Sequence, residues 1–205
     1  MTAAVLALQG AFAEHEQVFR RLGVDCFELR GPADLDRPFD ALILPGGEST
    51  VQSKLLRELG MFGRLQAMIR EGLPVFATCA GMILLAGQIE ADPGDKVPET
   101  FGTLPMTVRR NAYGRQLGSF RTRAEVKGVG EVPMTFIRAP YVVSVGETPS
   151  NTGDIPEILA VVDGRIAAVR CGNQYAFAFH PELDEDRRLQ EYFLESVAAH
   201  IARTA

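Results

Sequence analysis

The chain has 205 residues, a formal net charge of −5 and a pI near 5.3, with 46% hydrophobic and 23% charged residues. A chain of this size buries about 70% of its unfolded surface, so it needs no disulfide or metal to hold a core, and the reading is one domain over residues 1–205. The acidic balance argues against a nucleic-acid partner held by phosphate neutralisation.

Three cysteines, Cys26, Cys79 and Cys171, are too few and too scattered for a disulfide framework or a zinc site, and read as reduced thiols of a cytoplasmic protein. The N-terminus lacks a basic region and a long enough apolar run for a signal peptide. The uncharged stretch from Gly72 to Ile89 has the length of a membrane span, but Pro74, Thr78, Gly81 and Gly87 interrupt it. It reads as a buried strand running into a buried helix, and no membrane partner is expected.

In chain order, Val5–Leu8 is a strand, Ala13–Leu22 a helix, Cys26–Leu29 a strand and Ala41–Leu44 a strand buried on both faces. Helices follow at Val51–Leu56 and Met61–Ile69, then a strand at Val75–Ala77 and a helix at Ala80–Ala86. This alternation predicts a mostly parallel sheet with helices on both faces, a flavodoxin-like three-layer α/β arrangement. The second half is richer in strands: Leu104–Arg110, Ser119–Val126, Met134–Ile137, Val142–Val145, Ile158–Val162, Ile166–Arg170 and Tyr175–Phe179. Asp163-Gly164 signals a two-residue hairpin within this antiparallel extension. Ala91–Glu99 reads as a mobile loop and Asp184–Ile201 as a terminal helix.

Three motifs carry chemistry. In Phe76-Ala77-Thr78-Cys79-Ala80-Gly81, small residues two before and two after a cysteine mark a nucleophile elbow between strand and helix. A helix N-terminus behind the sulfur stabilises negative charge there. Alone, this pattern leaves a buried structural thiol open. A nucleophile needs a base and an orienter. Of the three histidines, His200 near the C-terminus reads as solvated, and His15 between Glu14 and Glu16 as surface or interface. His180 follows an apolar strand, where open α/β sheets place their sites. Glu182 stands two residues on, and an extended His-Pro-Glu segment would turn both side chains to one side. The third motif is Leu44-Pro45-Gly46-Gly47-Glu48-Ser49-Thr50. It lacks the Lys of a phosphate loop and suits an oxyanion hole made by the N–H groups of Gly47 and Ala80. Cys26 and Cys171 read as structural.

The segments LALQGAFAEH, LPGGEST, TCAGMILLA, RNAYGRQLGSF, FIRAP and FHPEL, in this order from Leu6 to Leu183, together resemble the glutaminase subunits of pyridoxal 5'-phosphate synthase, within the class I, triad-type glutamine amidotransferases. Cys plus His-x-Glu marks the superfamily; RNAYGRQ and FIRAP narrow it. Ala77 departs from the usual Gly but is small enough for an elbow. The resemblance implies that Cys79 is the nucleophile, His180 the base and Glu182 its orienter. It implies that Gly47, Glu48, Ser49, Arg110, Ile137 and Arg138 contact L-glutamine, with Gln9 near the site. A guanidinium suits the α-carboxylate, although composition does not choose among Arg109, Arg110, Arg115 and Arg138. It further implies ammonia transfer to a synthase subunit in a large hetero-oligomer whose docking switches the glutaminase on, pyridoxal phosphate being the partner's product. No metal and no cofactor are expected in this chain. The rival readings are the glutaminase of another pathway, such as imidazole glycerol phosphate synthase; a cysteine hydrolase on a similar sheet; and a glutamine-binding regulatory subunit without chemistry.

Overall fold

In the computed structural model, which describes residues 1–110, 119–147, 149–150 and 152–204, the chain begins with β1 (Thr2–Leu6), α1 (Phe12–Arg21), β2 (Asp25–Leu29) and β3 (Ala41–Leu44). Then come α2 (Ser49–Glu58), α3 (Phe62–Arg70), β4 (Val75–Thr78), α4 (Ala80–Leu85), β5 (Ala86–Glu90) and β6 (Leu104–Arg109). The remaining elements are β7 (Ser119–Val126), β8 (Gly130–Ile137), β9 (Tyr141–Val145), β10 (Glu157–Val162), β11 (Arg165–Cys171), β12 (Gln174–Phe177) and α5 (Arg188–Thr204).

Five parallel strands in the order β2-β1-β3-β4-β12 form the heart of the main sheet. This is the flavodoxin-like order, with β12 in the fifth place although it comes last in the chain. The sheet continues through antiparallel pairs as β11-β9-β6, with β5 parallel to β6 at the far edge and β10 beside β11; β7 and β8 make a separate hairpin. The order reverses at β1, so right-handed crossovers send α1 to one face and α2 to the other.

The buried strands have no polar face to offer water. VFAT of β4 and QYAF of β12 are buried at every position, as parallel strands covered by helices must be. On one face, α1 and α5 meet over Phe76: its ring packs against Phe19 at 5.5 Å and Phe193 at 5.3 Å, and Phe193 packs against Tyr175 at 5.5 Å. Each such fully buried ring contributes about 1.5–3 kcal/mol relative to exposure. The Asp163-Gly164 hairpin has positive φ at both residues, 49° and 73°, the type I′ geometry expected there.

Three elements depart from the sequence reading. Ala86–Glu90 is a strand, β5, where helix was expected to continue into Ala86. Pro181–Leu183 is one 3-10 turn rather than extended chain, because Pro181 at its first position presets a helical φ. The terminal helix starts at Arg188, whose N–H is accepted by the Asp186 carboxylate at 3.2 Å, not at Asp184. In the 91–99 loop, Asp92 accepts from Arg109 at 2.9 Å and the Glu99 carbonyl accepts from Ser53 at 2.9 Å. Among the described residues, no helix is long and apolar enough to cross a membrane.

Candidate active site

The loops after β1, β3, β4 and β12 all leave the same end of the sheet and bound a cavity of about 250 Å³. Gln9, Gly46, Gly47, Cys79, Arg110 and His180 are on its wall, as are Glu48, Ser49, Ile137 and Arg138. The cavity lies beside the switch point in strand order, where a doubly wound sheet leaves a crevice.

Cys79 follows β4 with φ 46° and ψ −99°, a conformation that costs a non-glycine residue about 1–3 kcal/mol. Its N–H is held by the Phe177 carbonyl of β12 at 2.8 Å, and its carbonyl accepts from Ile83 at 3.2 Å inside α4. The strained residue is thus pinned on both sides. Gly81 shows why the flanks are small: a Cβ there would stand 2.2 Å from the Leu44 carbonyl oxygen. Ala80 opens α4, so its N–H is among the first amides of a helix and has no acceptor within it.

β12 pairs with β4 in a register that sets Phe177 beside Thr78, and the chain reaches His180 three residues later. Thr135 of β8 clamps that stretch: its carbonyl accepts the His180 N–H at 2.8 Å, and its hydroxyl donates to the Asp184 carboxylate at 3.1 Å. The 3-10 turn then folds Glu182 back, and His180 Nδ1–H donates to Glu182 Oε1 at 2.7 Å. The rest of the ring faces the cavity, whose wall it shares with Cys79. Burial disfavours the charged ring, but the bonds to Cys79 and Glu182 outweigh it and raise the His180 pKa to about 10. Burial likewise works against the Glu182 carboxylate, and the two imidazoles facing it, His15 and His180, hold its pKa well below the ordinary range.

His15 is therefore not at the surface. It is fully buried in α1, one helical turn before Val18 and Phe19, with Nε2 3.0 Å from Thr78 Oγ1 and 3.4 Å from Glu182 Oε2. His200 also departs from its reading: it is half-buried, with Nδ1 3.0 Å from Asn173 Nδ2. Burial pushes up both other thiols, Cys26 to about 11.

The Gly46-Gly47 loop is locked against the segment after β1. Ala11 N–H donates to Gly46 O at 3.0 Å, and Glu48 N–H donates to Gln9 Oε1 at 2.7 Å. The buried Gln52 amide donates to Gln9 O at 2.9 Å and Pro45 O at 3.2 Å. Gln52 was not singled out from sequence, yet α2 buries Ser49, Gln52, Ser53 and Leu56, so polar residues occupy core-facing spacing there. Opposite, Arg110 donates to Glu48 Oε1 at 3.1 Å and to Lys96 O at 2.7 Å. Arg138, at φ 42°, reaches the wall from the end of β8 with Ile137. Arg109 instead pairs with Glu90 and Asp92. Most of the RNAYGRQ segment, residues 111–118 with Arg115, lies outside the described residues.

Residues 5–199 match the model of the SNO glutamine amidotransferase family. The chain belongs to this family. It is 54% identical over 198 residues to the pyridoxal 5'-phosphate synthase subunit PdxT of Desulfitobacterium hafniense, covering 97% of this chain and 94% of that one. It is 50% identical to the PdxT subunit of Methanocorpusculum labreanum, at 97% and 98% coverage. Among solved structures, a crystal structure of a glutamine amidotransferase superposes with a TM-score of 0.85 at 43% identity, covering 96% of this chain and 98% of that one. A glutamine amidotransferase of Thermotoga maritima shares the fold, at a TM-score of 0.59 and 13% identity, covering 100% of this chain and 85% of that one.

Proposed function

We propose that this chain hydrolyses L-glutamine to glutamate and ammonia as the glutaminase subunit of a pyridoxal 5'-phosphate synthase. The observation that carries the reading is that Cys79 and His180 share the wall of one cavity of about 250 Å³ with two arginines, while His180 Nδ1 is bonded to Glu182 Oε1 at 2.7 Å. Membership of the SNO family and the names of its relatives support the pathway.

The Cys79 sulfur attacks the side-chain carboxamide carbon of glutamine while His180 carries the thiol proton. The amides of Gly47 and Ala80 receive the oxyanion, a contribution of about 2.7–4 kcal/mol per donor in comparable sites. The imidazolium gives its proton to the leaving nitrogen, the C–N bond breaks, and ammonia departs from a γ-glutamyl thioester. Water then loses a proton to His180 and attacks the thioester, and the S–C bond breaks to release glutamate and the thiol. Glu182 holds the ring in the Nδ1–H tautomer throughout. Arg110 and Arg138 receive the α-carboxylate, with Glu48, Ser49 and Ile137 completing the pocket. This sequence of steps requires neither metal nor organic cofactor.

The ammonia passes to a synthase subunit in a hetero-oligomer, which makes pyridoxal phosphate from a pentose phosphate and a triose phosphate. Free buried thiols suit the reducing cytoplasm for this work. The test is ammonia release from glutamine by the purified chain, alone and with the synthase subunit, beside Cys79→Ala. Release that rises with the partner and disappears in the variant supports the proposal; release that survives Cys79→Ala overturns it.

A further inference from the structure

His15 has no part in the scheme above, yet it is a fully buried histidine that touches two of the elements on which that scheme depends. Its Nε2 lies 3.0 Å from the hydroxyl of Thr78, the residue before the nucleophile, and 3.4 Å from Glu182 Oε2. That carboxylate oxygen is buried and makes no well-formed hydrogen bond, while Oε1 is taken by His180. Among the described residues, His15 Nδ1 has no hydrogen-bond partner either.

These contacts choose a tautomer. With the proton on Nδ1, the N–H would meet no acceptor among the described residues, and the Nε2 lone pair would face a buried carboxylate oxygen. With the proton on Nε2, one N–H is shared between an oxygen of Thr78 and an oxygen of Glu182. A carboxylate held through one oxygen pivots about that bond, whereas one held through both is fixed, and the imidazole it supports is fixed with it.

Resting on the triad reading above, we propose that His15 is a positioning residue: its Nε2–H steadies Glu182 Oε2 and the end of β4 together, and so aligns the His180 ring with the Cys79 sulfur. The ring edge of His15 stands over Phe76, with centroids 6.1 Å apart, so its own orientation is set by packing.

The test compares His15→Leu, which keeps bulk and removes the donor, with His15→Gln, whose terminal amide reaches where Nε2 lies, and His15→Asn, whose shorter amide does not. Two readouts are used: steady-state glutamine hydrolysis with the synthase subunit present, and the rate of Cys79 alkylation by iodoacetamide in the chain alone. His15→Leu and His15→Asn are expected to lose about 10–100-fold in kcat with KM for glutamine nearly unchanged and to alkylate more slowly, while His15→Gln recovers most of both. If His15→Leu does not fold, the comparison of Gln with Asn decides. Equal activity in those two, or unchanged kcat in His15→Leu, overturns the role of His15 and leaves the triad standing. A wild-type Cys79 that neither alkylates nor turns over glutamine overturns the triad and this proposal with it.

Discussion

Gly46 lies against the His180 imidazole, and a single methyl group tests how tightly the proposed base must be held. A Cβ at position 46 would stand 2.3 Å from His180 Cε1 and 3.0 Å from Nδ1, about 1 Å inside the 3.4 Å at which ordinary contact begins. The ring cannot yield freely, since its Nδ1 is bonded to Glu182 at 2.7 Å and its backbone N–H to Thr135 at 2.8 Å. Nor does the loop have slack, because the Gly46 carbonyl accepts from Ala11. Gly46→Ala therefore displaces the base by roughly 1 Å, and a displacement of that size costs about 100-fold in rate. At 1.36 kcal/mol per tenfold, this is about 2.7 kcal/mol of barrier. Gly46 does not have a positive φ, so the substitution strains the contact and not the backbone. Gly63→Ala is the control: it lies in α3, where an added Cβ meets no described residue within 4 Å, and should stabilise the fold by about 0.5–1 kcal/mol without touching activity. Ammonia release is followed in both variants with the synthase subunit present. A Gly46→Ala chain within about threefold of wild type would refute the argument that ring position limits the rate.

Three further outcomes are expected. Gln52→Leu strands the carbonyls of Gln9 and Pro45 and should lower stability by about 1–3 kcal/mol, read as a fall in denaturation midpoint at constant m. Arg110→Ala and Arg138→Ala should each raise KM for glutamine by about tenfold with a smaller change in kcat, the low end of a charge-assisted bond because Arg110 must first give up Glu48; unchanged glutamine affinity in both removes them from carboxylate recognition. Burial opposes the charge on His180, but its bonds to Cys79 and Glu182 prevail, so the folded pKa lies above the ordinary value. Its stabilisation is then complete below about 6.5 and fades as pH rises toward about 10, so thermal midpoints of wild type and His180→Gln should converge across that window; parallel curves would contradict it.

Much of the candidate site's geometry was legible in sequence because it is built from particular residues at short range. The small flanks of Cys79, the two-residue gap from His180 to Glu182 and the paired glycines after β3 are each local requirements. What stayed hidden depended on position in space. His15 reads as surface from its neighbours Glu14 and Glu16, yet helical period places it with Val18 and Phe19 on the buried face of α1. β5 follows α4 directly, with Gly87 as the local break at the junction, and its pairing with β6 makes it a strand. The His-Pro-Glu contact was anticipated with the wrong backbone: Pro181 favours a turn, and that turn still brings the carboxylate to the ring.

The strand order has a consequence for the biosynthesis of the chain itself. Cys79 follows the fourth strand of the sheet, but His180 arrives only after β12, about 100 residues later, or about 5–20 seconds at ordinary rates of translation. Until β12 slots in beside β4, the thiol has no imidazole to take its proton and no Phe177 carbonyl to hold its amide. A nascent chain that stops short of β12 therefore exposes an ordinary cysteine, and the setting that joins Cys79 to His180 comes into being only once β12 and the turn after it have been made and folded.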